Sequence, residues 1–167
     1  MFYNIRDKFG RFTKTSKQKP IPVKVSKKAK TVGVCRIGIV LDESGSMDSV
    51  KKETQDGFNE YISSLLNDKT KIETRVTLVR FKSETNIKIQ YNNVLLSEDI
   101  KLTDYRPEAM TPLYKSTKIC INELEKVTKP GDMVMLTVFT DGRDNKSFPV
   151  TLEEINELIT DKRNNHN

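Results

Sequence analysis

The sequence predicts an α/β fold, an open and mostly parallel, doubly wound sheet with helices on both faces. Apolar runs typical of buried strands, at residues 34–41 and 133–139, alternate with segments of helical periodicity. Residues with side-chain oxygens directly follow both runs, and in such a sheet the carboxyl ends of neighbouring strands share one crevice. A chain of 167 residues can bury one core, so we expect a single globular domain.

The first strand and the first helix are predicted from contrasting patterns. Residues 34–41 form a compact apolar run, typical of a central strand that is buried on both faces. Residues 49–66 place apolar side chains on one helical face and polar side chains opposite. Gly57 lies inside this helix at a cost in stability, and we interpret it as a sign of close packing.

The middle of the chain predicts a hairpin followed by a helix. Two strands, 72–81 and 85–95, are joined by a short connection. Thr111 is a suitable N-cap and Pro112 suits the first helical position, so a helix is expected to run from there to about residue 127.

The last part of the chain predicts one strand and one helix. The turn at 130–132 leads into a strand at 133–140. Thr151 begins the last helix, and Glu153 and Glu154 lie in its first turn, where the helix dipole favours acidic side chains.

A set of hard oxygen ligands lies at the predicted strand ends, and such ligands suit Mg²⁺ or Mn²⁺ better than zinc. The candidate metal ligands are Asp42, Ser44, Ser46, Thr111 and Asp141. Each has an ordinary structural explanation as a turn residue or a helix cap. A single metal site explains them together, and we favour it. The acidic residues beside the motif, Glu43 and Asp48, are expected to be rim charges.

These residues follow the order D-x-S-x-S, then T, then T-D-G, and the chain therefore resembles the von Willebrand factor type A (vWA) domain with its metal-ion-dependent adhesion site. The resemblance covers about residues 32–163 and is closest to a small branch found in bacteria and their phages. Four further segments carry it: 57–62, 76–81, 110–114 and 139–145. It implies a divalent-metal-dependent protein–protein interaction module that captures an Asp or Glu of a partner, with Mg²⁺ or Mn²⁺ as the cofactor.

The resemblance also predicts an exposed strand edge. In the vWA family the sheet continues with another strand and helix, whereas this sequence stops at residue 167. We therefore expect a domain that is incomplete at its C-terminal side. Residues 133–139 would form an apolar edge without protecting charges or prolines, and a homo-oligomer could form through it.

Charge divides the chain into a basic N-terminal arm, residues 1–30, and a vWA-like domain, residues 31–167. The arm has ten basic side chains and one acidic, a net charge of +9, whereas the domain has nineteen basic and twenty-two acidic, a net charge of −3. Two interpretations of the arm stay open. It is a disordered, solvated tail, or its cations and interleaved aromatic residues bind nucleic acid, with the domain as a scaffold.

Other classes of protein are disfavoured. No apolar segment is long enough to span a membrane and no signal peptide is visible, so we expect no membrane partner and a cytoplasmic location, in the host cytoplasm if a phage encodes the chain. Cys35 and Cys120 lie in apolar patterns and are expected to be buried, reduced thiols. A metal-dependent hydrolase is a weaker alternative, because the only histidine is His166 and no nucleophile motif is present. We therefore predict a binding protein and no catalytic residues.

Overall fold

The computed structural model describes residues 33–70 and 72–165. The predicted basic arm, residues 1–30, lies outside these residues. Along the described chain the elements are β1 (Cys35–Asp42), a 3₁₀ helix (Gly45–Val50), α1 (Lys51–Leu66), β2 (Thr74–Ser83), β3 (Asn86–Leu95), α2 (Leu113–Val127), β4 (Met133–Phe139) and α3 (Leu152–Asn165).

The four strands form one mixed sheet in the order β3-β2-β1-β4. The strand β1 is parallel to β2 on one side and to β4 on the other, while β3 completes the antiparallel hairpin with β2. Asp42 lies opposite Phe81 of β2, and Leu41 lies opposite Phe139 of β4. The carboxyl ends of the three parallel strands therefore lie at one edge of the sheet.

Helices cover both faces of the sheet, which confirms the predicted α/β class. One core packs Phe58 and Ile62 of α1 against Ile39 of the central strand. The other core, on the opposite face, includes Cys120 and Leu124 of α2. The alternation of side chains along a strand explains why β1 contributes to both.

Gly38 lets α2 approach the central strand closely. A Cβ at this position would stand 2.6 Å from Leu124 Cδ1 and 2.8 Å from Cys120 Sγ. Cys35 and Cys120 are both free thiols, as expected, and burial raises the pKa of the Cys120 thiol to about 12.

A buried ion pair lies at the amino-terminal end of the parallel strands. Arg36 Nε donates to Asp132 Oδ2 at 2.6 Å, and Arg36 Nη1 donates to Asn93 Oδ1 at 2.6 Å. The Asp132 carboxylate also accepts hydrogen bonds from the backbone N–H groups of Val34 and Lys129, each at 2.9 Å. Burial alone would raise the pKa of Asp132, but these hydrogen bonds outweigh it and the pKa is lowered.

Two local predictions about the helices are wrong. Gly57 marks no close packing, because a Cβ there would have no atom within 4 Å. The helix α2 begins at Leu113 with Pro112 in the N-cap position, and the side chain of Thr111 does not cap it. Thr151 does cap α3, since its Oγ1 accepts a hydrogen bond from the Glu154 N–H at 3.2 Å.

The strand β4 lies at an edge of the sheet, and β1 is its only strand neighbour in the described part of the chain. Met133, Met135 and Val138 are exposed along it. This edge agrees with the exposed apolar strand that the sequence predicts, and self-association through it remains a prediction. None of the described helices combines the length and apolar character needed to cross a membrane.

Candidate metal centre

The fold brings the five predicted ligands to the carboxyl edge of the sheet. Asp42 is the last residue of β1, and Ser44 and Ser46 lie in the loop and the 3₁₀ helix that follow it. Thr111 lies two residues before α2, and Asp141 lies two residues after β4. Parallel pairing of the neighbouring strands with β1 explains this convergence.

The carboxylate of Asp42 is buried without a compensating cation. Asp42 has no exposed surface. Its Oδ1 accepts a hydrogen bond from the Ser44 N–H at 2.7 Å, and its Oδ2 accepts one from Thr140 Oγ1 at 2.7 Å. Both donors are neutral, and Asp42 forms no ion pair within 4 Å among the described residues. A buried charge of this kind is costly unless a counter-charge joins it.

The two serines connect Asp42 to Asp141. Ser44 Oγ and Ser46 Oγ are 3.2 Å apart, and Ser46 Oγ donates to Asp141 Oδ1 at 3.0 Å. The two candidate carboxylates are thus linked through a short row of hydroxyl and amide groups. The side chains of the five predicted ligands offer only oxygen atoms to a metal.

Thr111 reaches the same place from the other side of Gly142. A Cβ on Gly142 would stand 3.6 Å from Ser46 Oγ and 3.8 Å from Thr111 Oγ1. The absence of a side chain at Gly142 therefore leaves room between the two hydroxyls. The structure brings all five predicted residues together, and their role as metal ligands remains a prediction.

Loop 141–147 caps α2 and thereby leaves the Thr111 hydroxyl free. The Thr111 N–H donates to Asn145 Oδ1 at 2.9 Å, and the Asn145 N–H donates to the Thr111 carbonyl at 3.0 Å. Side chains of the same loop accept from the next turn, from Tyr114 N–H to Asp144 Oδ1 at 3.1 Å and from Lys115 N–H to Ser147 Oγ at 2.9 Å. Thr111 Oγ1 itself makes no hydrogen bond to the described residues.

A strap formed by residues 104–111 closes the other side of the centre. Tyr105 Oη donates to the Asp42 carbonyl at 2.5 Å. Burial raises the pKa of Tyr105, and the negative charges of Asp42 and Glu43 raise it further. Ala109 has a φ of 61°, which is unfavourable for a residue with a Cβ, and the Gly45 N–H donates to its carbonyl at 3.2 Å. The strap thus packs the Tyr105 hydroxyl and the Ala109 backbone against the loop that carries Asp42 and Ser44.

Glu43 is not the rim charge that the sequence predicts. It is 7% exposed, and its Oε1 accepts a hydrogen bond from Arg80 Nη2 at 2.5 Å. The ion pair could not be recognised from the sequence because its partners are thirty-seven positions apart. Adjacent carboxylates therefore differ, since Glu43 has a guanidinium partner and Asp42 has none.

The donor set fits a hard divalent cation. It has two carboxylates and three hydroxyls, which are ligands that Mg²⁺ and Mn²⁺ accept and zinc disfavours. Within residues 33–70 and 72–165 no group of three or more His, Cys, Asp or Glu side chains could hold a metal, so a site here depends on the hydroxyls. Asp141 and Thr140 line a cleft of about 330 Å³ with Met47 and Phe139 beside the candidate centre.

The von Willebrand factor type A domain model matches residues 37–166, well over half of the chain. The chain belongs to this family. The vWA family consists of protein-interaction modules, and its members often bind a divalent metal at a site made of such residues.

Solved structures are similar in fold. Proximal thread matrix protein 1 from the mussel byssus superposes with a TM-score of 0.60 at 20% identity, over 77% of this chain and 36% of its own. VWA2, a paralogue of ArnB from Sulfolobus acidocaldarius, gives a TM-score of 0.47 at 20% identity, over 70% of this chain and 29% of its own. This vWA chain thus spans about a third of the length of those proteins. Curated protein sequences give no significant match.

Proposed function

We propose that this vWA domain is a divalent-metal-dependent interaction module that captures an acidic side chain of a protein partner. The observation that carries the proposal is the Asp42 carboxylate, which is fully buried and has only neutral hydrogen-bond donors. The residues that would hold Mg²⁺ or Mn²⁺ are Asp42, Ser44, Ser46, Thr111 and Asp141.

The charges of the site support capture of an anion. Asp42 and Asp141 carry two negative charges in total, and the three hydroxyl ligands carry none. A divalent ion bound there supplies a positive centre that accepts an oxygen of an incoming carboxylate, because Mg²⁺ and Mn²⁺ prefer oxygen ligands.

The residues of the chain hold and expose the site. Thr140 and the Ser44 N–H fix the orientation of the Asp42 carboxylate through their hydrogen bonds. Asp42 has no exposed surface, whereas Ser46 and Asp141 are exposed, so a partner side chain can approach the site from their side.

Calorimetric titration of MgCl₂ and MnCl₂ into the protein tests the metal site. We expect Asp42→Ala to abolish binding, Asp141→Ala to weaken it strongly, and Ser44→Ala or Ser46→Ala to cost less. Asp99→Ala is the control, because Asp99 is an exposed carboxylate in a loop. Binding that is unchanged in Asp42→Ala would show that the ligand assignment is wrong.

Peptide binding tests the capture of a carboxylate. A fluorescent hexapeptide with one aspartate, five asparagines and an amidated C-terminus should bind in Mg²⁺ and dissociate when a chelator is added. The hexa-asparagine peptide, amidated in the same way, should bind in neither condition. Equal binding of the two peptides would contradict recognition of a carboxylate through a metal.

The alternative led by the basic arm has a different signature. Residues 1–30 lie outside the described residues, so the proposal that they bind nucleic acid depends on their charge of +9 alone. Binding through phosphates weakens steeply with salt. Deletion of residues 1–30 should abolish any such binding and leave the chelator-sensitive binding unchanged.

A further inference from the structure

A second cleft, of about 380 Å³, lies on the other side of the loop that carries the candidate metal ligands. Glu43 lines it, and Glu43 stands between Asp42 and Ser44 in the chain. Four cations and two carboxylates line this cationic cleft, namely Arg80, Lys82, Lys88, Arg106, Glu43 and Asp104.

The two carboxylates of the cationic cleft are both paired with one arginine. Arg80 Nη2 donates to Glu43 at 2.5 Å, and Arg80 Nη1 donates to Asp104 Oδ1 at 2.8 Å. The hydrogen bond from Arg80 lowers the pKa of Asp104. Gln90 Oε1 and the Asp104 carbonyl also accept from Arg80 Nη1 and Nη2, at 2.7 and 3.1 Å. Four acceptors thus occupy the Nη groups, and the buried Arg80 Nε has no hydrogen-bond partner among the described residues.

The other cations of the cleft are largely uncompensated. Lys88 and the Arg106 guanidinium form no ion pair within 4 Å in the described part of the chain. Lys82 Nζ lies 3.2 Å from Glu108, whose side chain is largely exposed. The lining therefore has an excess of positive charge at the surface of a domain whose net charge over residues 31–167 is −3.

The strap 104–111 connects this cleft to the metal centre. It carries Arg106 in the cleft and Thr111 at the centre. Three backbone hydrogen bonds fix it, from Glu108 N–H to the Glu43 carbonyl at 2.7 Å, from Gly45 N–H to the Ala109 carbonyl at 3.2 Å and from Met110 N–H to the Lys82 carbonyl at 3.1 Å. Both sites are therefore held on the same short segments of chain.

We propose that the cationic cleft binds a second carboxylate of the same partner segment, so that the partner is an acidic peptide stretch with at least two Asp or Glu residues. This inference rests on the proposed function, in which the first carboxylate is bound at the metal. Lys88 and Arg106 supply the charge that receives the second carboxylate, and Asn86 supplies an amide at the same wall.

The charge distribution favours a short acidic peptide over nucleic acid. A nucleic acid carries a phosphate at every nucleotide and requires an extended cationic surface. Residues 31–167 have more acidic than basic side chains, so the domain has no net positive charge to attract a polyanion. A short peptide with two carboxylates needs only the metal and these few cations.

The test compares two peptides in Mg²⁺ at low ionic strength, hexa-aspartate and the hexapeptide with one aspartate and five asparagines. Two exposed charge contacts should make hexa-aspartate bind about three- to thirtyfold more tightly. The double variant Lys88→Gln/Arg106→Gln should lose this gain and bind the one-aspartate peptide as the wild type does. Lys126→Gln/Lys129→Gln, which removes the same charge elsewhere, should retain the gain.

Each other outcome has a distinct meaning. If the one-aspartate peptide binds with Mg²⁺ and hexa-aspartate shows no gain, or the control variant loses the gain equally, the cleft inference is overturned and the proposed function stands. If neither peptide responds to Mg²⁺, both are overturned. If Lys88→Gln/Arg106→Gln weakens the binding of a hexathymidylate oligonucleotide and does not weaken the binding of hexa-aspartate, the cleft binds phosphates and the inference is wrong.

Discussion

At the amino-terminal end of β1, Arg36 and Asp132 form a buried ion pair, whereas at its carboxyl end Asp42 is buried and has no cationic partner among the residues that the structure describes. Asp132 has an arginine and two backbone N–H groups as partners. Asp42 has one backbone N–H and one hydroxyl. The two carboxylates lie at opposite ends of the parallel strands. They differ in whether another described residue supplies a cationic partner.

The difference separates a structural pair from a candidate binding site. The Arg36–Asp132 pair is complete within the protein, so its loss should affect folding and leave metal binding unchanged. Under the proposed function, Asp42 receives its counter-charge from a bound cation, so we expect changes around it to affect metal binding more than folding. Variants at each end of β1 test this difference.

The largest effect on stability is expected at the amino-terminal end of β1, where Arg36 and Asp132 form their ion pair. Asp132→Ala leaves Arg36 buried with only Asn93 as a partner, and loss of one member of a buried pair costs about 3–5 kcal/mol. Urea unfolding measures this cost, with Asp99→Ala as the control, and calorimetry should show unchanged Mg²⁺ affinity. A loss below about 1 kcal/mol, the scale of exposed pairs, would refute the structural role.

Acid should reproduce part of that loss. The pKa of Asp132 is lower in the folded protein than its ordinary value of 3.8, so the unfolded chain takes up a proton first as the pH falls. The stability from this group is present above about pH 4 and declines as the pH falls through the folded pKa. The free energy of unfolding, measured in urea, should fall less steeply between pH 6 and pH 3 in Asp132→Asn than in the wild type. Parallel curves would contradict this assignment.

At the carboxyl end of β1, Thr140→Val should weaken the proposed metal binding without removing a candidate ligand. The substitution deletes the hydroxyl that donates to Asp42 Oδ2, and loss of such a supporting hydrogen bond typically costs about 10–100-fold in metal affinity. Thr137→Val is the matched control, because Thr137 lies in β4 and its hydroxyl contacts Tyr61. Calorimetry with Mg²⁺ should separate the two variants, and equal affinities would argue against a supporting role for Thr140.

The smallest effect is expected at neither end. Gly57→Ala places a methyl group in open space on α1, and Ala is favoured over Gly inside a helix by about 0.5–1 kcal/mol. Urea unfolding should show this gain, and metal binding should not change. A loss of stability would mean that α1 packs more closely there than the structure shows.

The sequence predicts the elements, and the convergence of the five candidate residues, because local patterns locate the strands and their ends. Hydrophobic periodicity placed β1 and β4 near their observed bounds, and parallel pairing then required Asp42 and Asp141 to meet at one edge. The class of metal that we propose, a hard divalent cation, follows from the residue types alone.

The parts that the sequence does not predict depend on pairs that are distant in the chain. Thr140 is the first residue of the T-D-G motif, yet its bond to Asp42 joins residues ninety-eight positions apart. Glu43 appears as one more acid beside the motif until Arg80 is placed next to it. Thr111 looks like a helix cap because nothing local shows that Asp144 and Ser147 accept hydrogen bonds from the first turn of α2.

The borrowed cap of α2 gives the metal centre a natural reporter. The backbone N–H groups of Tyr114 and Lys115, in the first turn of the helix, donate to side chains of loop 141–147. Their amide protons can therefore exchange with solvent only when that loop, which also carries Asp141, moves away. Hydrogen exchange at these two amides measures how often the loop opens, and a ligand that holds Asp141 in place would slow both together.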